Sequence, residues 1–510
     1  MGKHFEKLRR SCGTVFDLAA SVALLEWDQQ TYMPPGGAQG RAYQIATLSR
    51  IAHERFVGDE FAAELESAES EVGSLDPDSD EARIVARLRR DVEKRKRVSA
   101  DWVEEHELTV RMAFDAWVKA RAASDFSSFR PHLEKVLELK RSYVAFFAPY
   151  ENPYDPLLDN YEPGMKTSAI KGVFARLREV QVPLVAAVSE RAEAVDDSFL
   201  HQKFDDRAQW DFGLAVIRDL GYDFERGRQD KAPHPFSTSF NKDDVRITNR
   251  INGSTFGPTL FGSMHESGHA MYSQGIPASL DRIPVLSGSS LDSSHHASLG
   301  IHESQSRMME NLVGRSREFW QAYYPRLQAA FPGHFDNVPV ERFYRAINRV
   351  KPTLIRVEAD EATYNLHIML RFEIELDLMQ GGLAVADLPE AWNSKMQAYF
   401  GLTPPNDALG VLQDIHWSDG YFGYFPTYTL GNLTASQLWQ TLEQELPNIR
   451  SQIASGKFHD LLAWLREKIH RHGAKFQPME LLERVTGARL SPEPYLKYLQ
   501  TKYGEIYGLG

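Results

Sequence analysis

The sequence contains a single cysteine, Cys12, among 510 residues. One thiol cannot form a disulfide framework or a site in which several thiolates hold a metal, so these two classes of small structural scaffold are excluded. A reducing, cytoplasmic location fits this composition. The first residues, MGKHFEKLRRSCG, contain no apolar signal core, and we expect no secretion signal there.

Long apolar runs and excess positive charge are also absent from the sequence. No stretch approaches the roughly 20 mainly apolar residues that a membrane-spanning helix needs, so we expect no membrane partner. The formal net charge of -12 argues against nucleic acid as a partner, because phosphate binding requires a basic surface. The one basic run, at 94–97, lies among acidic residues and is interpreted as a solvated helix face rather than an anion site.

Apolar residues recur every three to four positions through most of the chain, which predicts a mainly α-helical protein. Such helical segments cover about 58–147, 168–195 and 206–220. The exception is 233–250, where alternating apolar residues and a polar turn predict a short β-hairpin. This small sheet would directly precede the segment that carries the most informative motif.

The domain organisation is expected to be simple, because no linker, repeat or sharp shift in composition divides the chain. We predict a single, largely helical unit over 1–510. Within it, 1–230 is mostly helical, 231–430 carries the short motifs described below and 431–510 forms C-terminal helices.

An H-E-x-x-H motif, HESGH, begins at His265. Histidines four residues apart lie on one face of a helix, so His265 and His269 can bind one metal ion while Glu266 reaches a water bound to that ion. Gly257, followed by proline, favours a helix start, and Gly275 favours a helix stop. The alternative is two histidines that stack by chance. We predict a catalytic zinc site.

The third zinc ligand has to come from elsewhere in the chain. A third histidine six residues beyond the motif is absent, because that position is Gly275. A carboxylate on a following helix is a usual solution, and 289–313, which is helical in pattern, contains Glu303. We predict Glu303 as the third ligand, oriented by His302 and Gln305. The alternatives are Asp292, His295, His296 and Glu310.

The remaining histidines have simpler interpretations. His295 and His296 suit a polar helix start or the lining of a substrate cleft. His470 and His472 are two residues apart, so they face different sides of a helix and are expected at the surface. The motif supports metal-assisted hydrolysis of an amide, most simply a peptide bond, in which Glu266 takes a proton from water and later delivers it to the leaving amine.

Further short signatures accompany HESGH in a defined order. They are HPF at 234–236, DVRIT at 244–248, HESQ at 302–305, IRVEAD at 355–360 and GVLQDIHW at 410–417. Together with the segments 25–38 and 154–164, they make the chain resemble the M32 metallocarboxypeptidases, the carboxypeptidase Taq family. The resemblance spans nearly the full length, and the motif positions show no departure from the family's pattern.

The resemblance implies a mainly α-helical zincin with a deep groove, shared with neurolysin-type oligopeptidases, and a homodimer. It implies removal of single residues from peptide C-termini with broad specificity, usually poor when the last residue is proline. Zinc is the expected metal, and cobalt is often a working substitute. By position, His265, His269 and Glu303 are the implied ligands and Glu266 the implied base.

The resemblance also implies substrate-binding residues. Arg356 is the expected partner of the peptide's terminal carboxylate, with a structural ion pair to Glu358 or Asp360 as the alternative. His416 is expected to line the cleft, and Tyr424 is a candidate donor to the tetrahedral oxyanion. The aromatic run at 421–426, to which Tyr424 belongs, also suits packing around the groove. Arg246 either binds the far end of the peptide or braces the sheet, and His234 is a further candidate.

Two other functions remain open from the sequence. An endo-oligopeptidase would use the same zinc chemistry, and only a fixed positive group for the terminal carboxylate distinguishes the exopeptidase from it. A helical binding or scaffold protein with a vestigial metal site is the alternative of another class, and the intact Glu266 argues against it.

Overall fold

The computed structural model describes residues 2–287, 290–292 and 296–509, with the backbone alone at positions 100, 287, 290 and 292. The predicted mainly α-helical class is confirmed. The described residues form helices α1 Lys3–Thr31, α2 Ala38–Val57, α3 Asp59–Val72, α4 Asp80–Lys96, α5 Ala100–Ala123, α6 Phe126–Ala145, α7 Asp155–Leu158, α8 Thr167–Ser189, α9 Asp206–Leu220, α10 Pro258–Gln274, α11 Leu299–Arg307, α12 Arg317–Ala330, α13 Val340–Ile347, α14 Glu361–Gln380, α15 Leu388–Phe400, α16 Pro426–Glu445, α17 Ile449–Ala454, α18 His459–Lys468, α19 Pro478–Thr486 and α20 Glu493–Tyr507. None of the helices in these described ranges is both long and apolar enough to span a bilayer.

Backbone contacts divide the chain into two compact units, each built from three segments. Unit 1 comprises 1–95, 196–347 and 434–490, and unit 2 comprises 96–195, 348–433 and 491–510. That 1–510 acts as one peptidase unit with the subdivisions given above stays a prediction.

The described strands all lie in unit 1. They are β1 Gly227–Lys231, β2 Phe236–Asn241, β3 Asp244–Asn249, β4 Val285–Ser287 and β5 Ser290–Asp292. The predicted hairpin is β2 and β3, which pair antiparallel, while β1 adds to the other edge of β3 in parallel to give the order β1-β3-β2. Strands β4 and β5 form a separate antiparallel pair.

Helix α10 lies directly against this small sheet and packs on β3, α9 and α11. Its start is held by the end of β3, because the Asn249 amide donates to the carbonyl of Thr259 at 2.7 Å and to Ser263 Oγ at 2.8 Å. Pro258 occupies the first turn, where a missing N–H costs nothing, and Gly257 precedes it with a φ of 121°. The predicted bounds of this helix are confirmed.

The helix predicted over 289–313 is wrong at its start. Ser290–Asp292 is a strand, and α11 begins only at Leu299, where Ser298 Oγ accepts a hydrogen bond from the N–H of Ile301. Beyond Arg307 the chain continues as a π-helix, Met308–Val313. The cap at Ser298 satisfies an N–H of the first turn, which explains why the helix starts there.

In unit 2, α14 is buried along nearly its whole length and packs on α8 and α15. The Asp360 carboxylate caps its start by accepting hydrogen bonds from the N–H groups of Ala362 and Thr363. Gly381, with a φ of 79°, ends it in the left-handed conformation that favours glycine. This helix presents Arg371 and Glu375 to the interior of the unit.

Candidate functional site

Three side chains of unit 1 bring metal-binding atoms together. His265 and His269 project from one face of α10, and Glu303 projects from α11. Glu303 Oε2 lies 3.5 Å from His265 Nε2 and 3.3 Å from His269 Nε2, and all three donor atoms lie within 4.8 Å of one another. Among the described residues, this is the one group of His, Cys, Asp and Glu that meets that spacing.

Charged neighbours hold this group in place. His265 Nδ1 lies 2.9 Å from Glu310 Oε2 in the π-helix, and Arg307 Nε donates to Glu303 Oε1 at 2.6 Å. Arg307 Nη1 also donates to Glu310 at 3.2 Å. Although burial acts to raise it, the pKa of Glu303 lies well below its ordinary value because Arg307 and His265 favour the carboxylate. The ligand carboxylate is therefore ionised at neutral pH.

Glu266 follows the first histidine of the motif and is buried, with 6% of its surface exposed. Its carboxylate makes no hydrogen bond or ion pair with any other described residue. Burial raises the pKa of Glu266 to about 7. A carboxylate with free oxygen atoms and a pKa near neutrality is suited to taking and returning a proton.

The distance between α10 and α11 is set at Gly268. A Cβ at this position would lie 2.5 Å from the carbonyl oxygen of Gln305 and 2.6 Å from the Cα of Ser306, both backbone atoms of α11. Only glycine fits so close an approach. Because the histidines are on α10 and Glu303 is on α11, this contact fixes the spacing of the three donor atoms.

His470 is buried, with 1% exposed, and so its prediction as a surface residue is wrong. Its Nε2 lies 3.0 Å from Gln305 Oε1 on the helix that carries Glu303. The centre of the His470 ring also lies 5.3 Å from that of Tyr272 of α10. Sequence analysis missed the burial of His470 because that burial depends on a partner 165 positions away. The two-residue spacing between His470 and His472 does not indicate that either is buried.

The alternatives for the third ligand take other positions. Glu310 contacts the far nitrogen of His265, and His296 is buried with its ring 5.0 Å from that of His302. His295 and the side chain of Asp292 lie outside the described residues. His302 stacks on His269 at a ring separation of 4.3 Å, so it packs against one face of the ligand ring.

Arg356 lies in unit 2 and is buried, with 5% exposed. Its Nε and Nη2 donate to Asp414 Oδ1 at 3.1 and 2.8 Å, and its Nη1 donates to Tyr364 Oη at 2.9 Å. The ion pair considered from the sequence is therefore present, with Asp414 of the GVLQDIHW motif as the partner rather than the neighbouring Glu358 or Asp360.

His416 and Tyr424 lie together in the same unit. Their ring centres are 5.4 Å apart, and His416 Nε2 lies 3.4 Å from Tyr428 Oη. Tyr424 is half-buried, whereas Trp417 and Phe425 are buried. The aromatic run thus contributes both packing and a partly accessible phenol.

The remaining two predicted substrate residues lie in unit 1, Arg246 on β3 and His234 between β1 and β2. Arg246 makes a two-bonded ion pair with Asp244, both bonds being 2.8 Å, and its guanidinium lies 4.4 Å from the ring centre of Trp27. His234 is exposed, and Thr248 Oγ1 donates to its carbonyl at 3.2 Å. Arg246 thus contacts its own strand and helix α1, and Thr248 ties the HPF segment to DVRIT.

The family model of the carboxypeptidase Taq (M32) metallopeptidases matches residues 7–503. The chain belongs to the M32 metallopeptidase family. It is a metallocarboxypeptidase, a peptide hydrolase. It is 42% identical to thermostable carboxypeptidase 1 of Thermus thermophilus, over 96% of each chain, and 38% identical to carboxypeptidase 1 of Bacillus subtilis, over 99% of this chain and 98% of the relative.

Solved structures of M32 enzymes are similar throughout their length. The M32 carboxypeptidase from Deinococcus radiodurans superposes with a TM-score of 0.95 at 41% identity, covering 100% of both chains. Trypanosoma cruzi metallocarboxypeptidase 1 superposes with a TM-score of 0.91 at 34% identity, covering 98% of this chain and 99% of the other. The predicted family is confirmed.

An M32 metallopeptidase requires a divalent metal, and the donor group in unit 1 has suitable dimensions. Ligand atoms about 2.1 Å from a tetrahedral ion lie about 3.4 Å apart. The two distances from Glu303 to the histidine nitrogens, 3.5 and 3.3 Å, match this value. Two imidazoles and a carboxylate form a donor set typical of catalytic zinc sites.

Proposed function

We propose that this enzyme is a zinc-dependent carboxypeptidase that releases single residues from peptide C-termini with broad specificity. The observation that carries the proposal is the triad of His265, His269 and Glu303, spaced for one tetrahedral ion, beside a buried glutamate with free oxygen atoms. The names of relatives, which are carboxypeptidases, support cleavage from the C-terminus of the peptide.

His265, His269 and Glu303 would hold the metal. Zinc when bound would polarise the scissile carbonyl and lower the pKa of a water molecule. Glu310 accepts from His265 Nδ1, which leaves Nε2 as the ligand atom, and Arg307 keeps both carboxylates ionised. Cobalt, which favours similar donors, is proposed as a working substitute.

Glu266 would act as the general base and then as the general acid. Its carboxylate takes a proton from the attacking water and delivers it to the leaving amine. Burial favours this double role, because a pKa of about 7 lets the group hold the proton transiently at neutral pH. Tyr424 is proposed to donate a hydrogen bond to the oxyanion, and His416 to line the cleft.

Arg356 is proposed to bind the terminal carboxylate of the peptide. Its planar fork can meet two carboxylate oxygens and remains charged at any working pH. Arg246 is proposed to contact the far end of the peptide, which would require its ion pair with Asp244 to be shared or broken. His234 is proposed as a further substrate-binding residue. Specificity for the released residue is proposed to be broad.

The assembly and location of the enzyme are further proposals. We propose a cytoplasmic homodimer that acts as one peptidase unit on peptide substrates, with no nucleic-acid or membrane partner. The single cysteine and the negative net charge support the location and the lack of a nucleic-acid partner. A light-scattering mass near 58.0 kDa, that of one chain, would contradict the dimer.

Glu266→Gln tests the proposed chemistry. The amide has the same shape and leaves the ligands untouched, but it cannot accept a proton, so turnover is expected to fall by about 10²- to 10⁴-fold. Zinc content by mass spectrometry should equal that of the parent. The matched control is Glu225→Gln, a glutamate outside the donor group, which should keep both properties. A variant of Glu266 with full zinc and more than about a tenth of parental turnover would contradict the assigned role.

A further inference from the structure

The carboxylate of Asp414 lies between two arginines in unit 2. Arg356 donates from Nε and Nη2 to Oδ1, and Arg371 donates from Nε to Oδ2 at 2.6 Å. The arginine side chains are 6% and 0% exposed, and that of Asp414 is 12% exposed. One carboxylate can balance only one guanidinium, so the three groups together carry one net positive charge.

Each of the three guanidinium nitrogens of Arg371 donates to an acceptor. Besides Asp414, its Nη2 donates to Gln413 Oε1 at 2.8 Å and its Nη1 donates to the carbonyl of His367 at 2.8 Å. The same Gln413 oxygen accepts the backbone N–H of Arg356 at 3.0 Å. Arg371 is thus fixed and closed to solvent, and it acts on its surroundings only through its charge and through Asp414.

No other described acid neutralises this charge by an ion pair. Along α14, Glu373 pairs with Arg178 and Lys395 instead. The next buried acid is Glu375, whose carboxylate accepts hydrogen bonds from Tyr154 Oη, Trp417 Nε1 and the N–H of Gly423 and forms no ion pair with either arginine. His367 adds no negative charge. A buried net charge is unfavourable without a partner, so the cluster is suited to an anion that arrives from outside.

Arg356 is the member of the cluster that such an anion can reach. Its hydrogen bonds to Asp414 and Tyr364 use three of the five guanidinium N–H groups. Two N–H groups therefore have no acceptor among the described residues, and part of the side chain is exposed, whereas Arg371 has no exposed surface. The ring of Tyr428, 5.1 Å from the guanidinium carbon, supports one of its faces.

We propose that Arg371 is a positioning residue that makes Arg356 specific for a free carboxylate. Arg371 shares the single charge of Asp414 and so leaves Arg356 with an unbalanced positive charge toward the substrate. Without Arg371, Arg356 and Asp414 would form a neutral pair with little preference for an anion. The proposal rests on the proposed exopeptidase function and adds Arg371 to it.

The test compares one peptide as its C-terminal acid and as its C-terminal amide, with the zinc-loaded enzyme. Arg371→Gln should raise KM for the acid by about 10- to 100-fold, as expected for losing one charge at close range in a partly buried site. The kcat for the acid, and both constants for the amide, should change by less than about threefold, since the amide carries no charge for the cluster to read.

Two further variants separate charge from packing. Arg371→Lys keeps the charge with fewer hydrogen bonds and should retain most of the preference for the acid. The double variant Arg371→Gln/Asp414→Asn removes one charge of each sign, restores the net charge of the cluster and should recover the preference to within about threefold of the parent. It leaves no unpaired buried carboxylate, so it remains a test if Arg371→Gln does not fold. Arg87→Gln, at a buried arginine that pairs with Asp91 in unit 1, is the matched control and should leave the ratio unchanged.

Each outcome distinguishes the two proposals. If the parent cleaves acid and amide equally, the exopeptidase function itself fails. If the parent prefers the acid but Arg371→Gln keeps that preference, only the role of Arg371 fails. Equal losses on acid and amide in Arg371→Gln, or a double variant without preference for the acid, would show that Arg371 merely supports the fold and would overturn the proposal.

Discussion

At the scale of single residues, the charged side chains around His265 and His269 orient these two histidines as metal ligands. Glu310 contacts His265 Nδ1, so the opposite nitrogen faces Glu303 with its lone pair. Arg307 binds both glutamates and offsets their mutual repulsion. Burial lowers the pKa of His269, which keeps this ring neutral as a ligand must be. The donor group is thus organised by its neighbours before any ion arrives.

His470 gives a prediction for stability against pH. Burial lowers the pKa of His470 to about 3, whereas the unfolded chain has the ordinary value of about 6.5. Between these values the unfolded state binds a proton that the folded state does not, so the contribution is complete above about pH 6.5 and is lost as the pH falls toward 3. The metal-free parent should lose about 2 kcal/mol more between pH 7 and 5 than His470→Gln.

Urea unfolding at the two pH values measures this difference. His459, whose side chain is 92% exposed, provides the matched control, and His459→Gln should keep the parental dependence on pH. Identical losses in the parent and in His470→Gln would mean that His470 is protonated as readily in the folded chain as in the unfolded one, which its burial does not allow.

How far the site could be predicted depends on whether its signal is local. The histidine pair, Glu266 and Glu303 lie in short motifs whose helical spacing is visible in the sequence. His470 could not be found in this way, because its contact with Gln305 joins distant segments. The partner of Arg356 was also missed. Glu358 and Asp360 are close to it in the sequence, whereas its actual partner, Asp414, lies in a distant motif.

At the scale of elements, the predictions succeeded where periodicity was strong. The hairpin β2–β3 and helices such as α9, at Asp206–Leu220, follow their apolar patterns. Strand β1 was missed because GRQDK has no apolar alternation and its pairing with β3 comes from tertiary contact. The late start of α11 depends on the capping serine, Ser298, which the apolar pattern alone does not reveal.

The close approach of α10 and α11 gives a second prediction. Gly268→Ala would place a methyl group against the backbone of α11 and force the two helices apart. Because the ligands are divided between these helices, zinc affinity should fall by about 10- to 100-fold, comparable to the loss of a residue that orients a ligand. Competition with a chromophoric chelator measures the dissociation constant.

Gly172→Ala is the control for this substitution. Gly172 lies within a helix, and a Cβ there meets nothing within 4 Å. Alanine at this position should leave zinc affinity unchanged and is expected to stabilise the helix by up to about 1 kcal/mol. Parental zinc affinity in Gly268→Ala would show that the helix contact does not set the ligand spacing.

At the scale of the whole molecule, the family match covers 7–503 and so includes residues of both compact units. The metal donors belong to unit 1, and the arginine pair around Asp414 belongs to unit 2. Composition could exclude classes of partner, but it could not reveal this division of the chain, which depends on contacts between distant segments.

The most direct test of the central claim is mass spectrometry of a defined peptide after incubation with the zinc-loaded enzyme. We expect a ladder in which residues are lost one at a time from the free C-terminus, with little loss from the amidated peptide and far less cleavage by Glu266→Gln. Internal fragments, or equal cleavage of the acid and the amide, would rule out a carboxypeptidase and favour an endo-oligopeptidase.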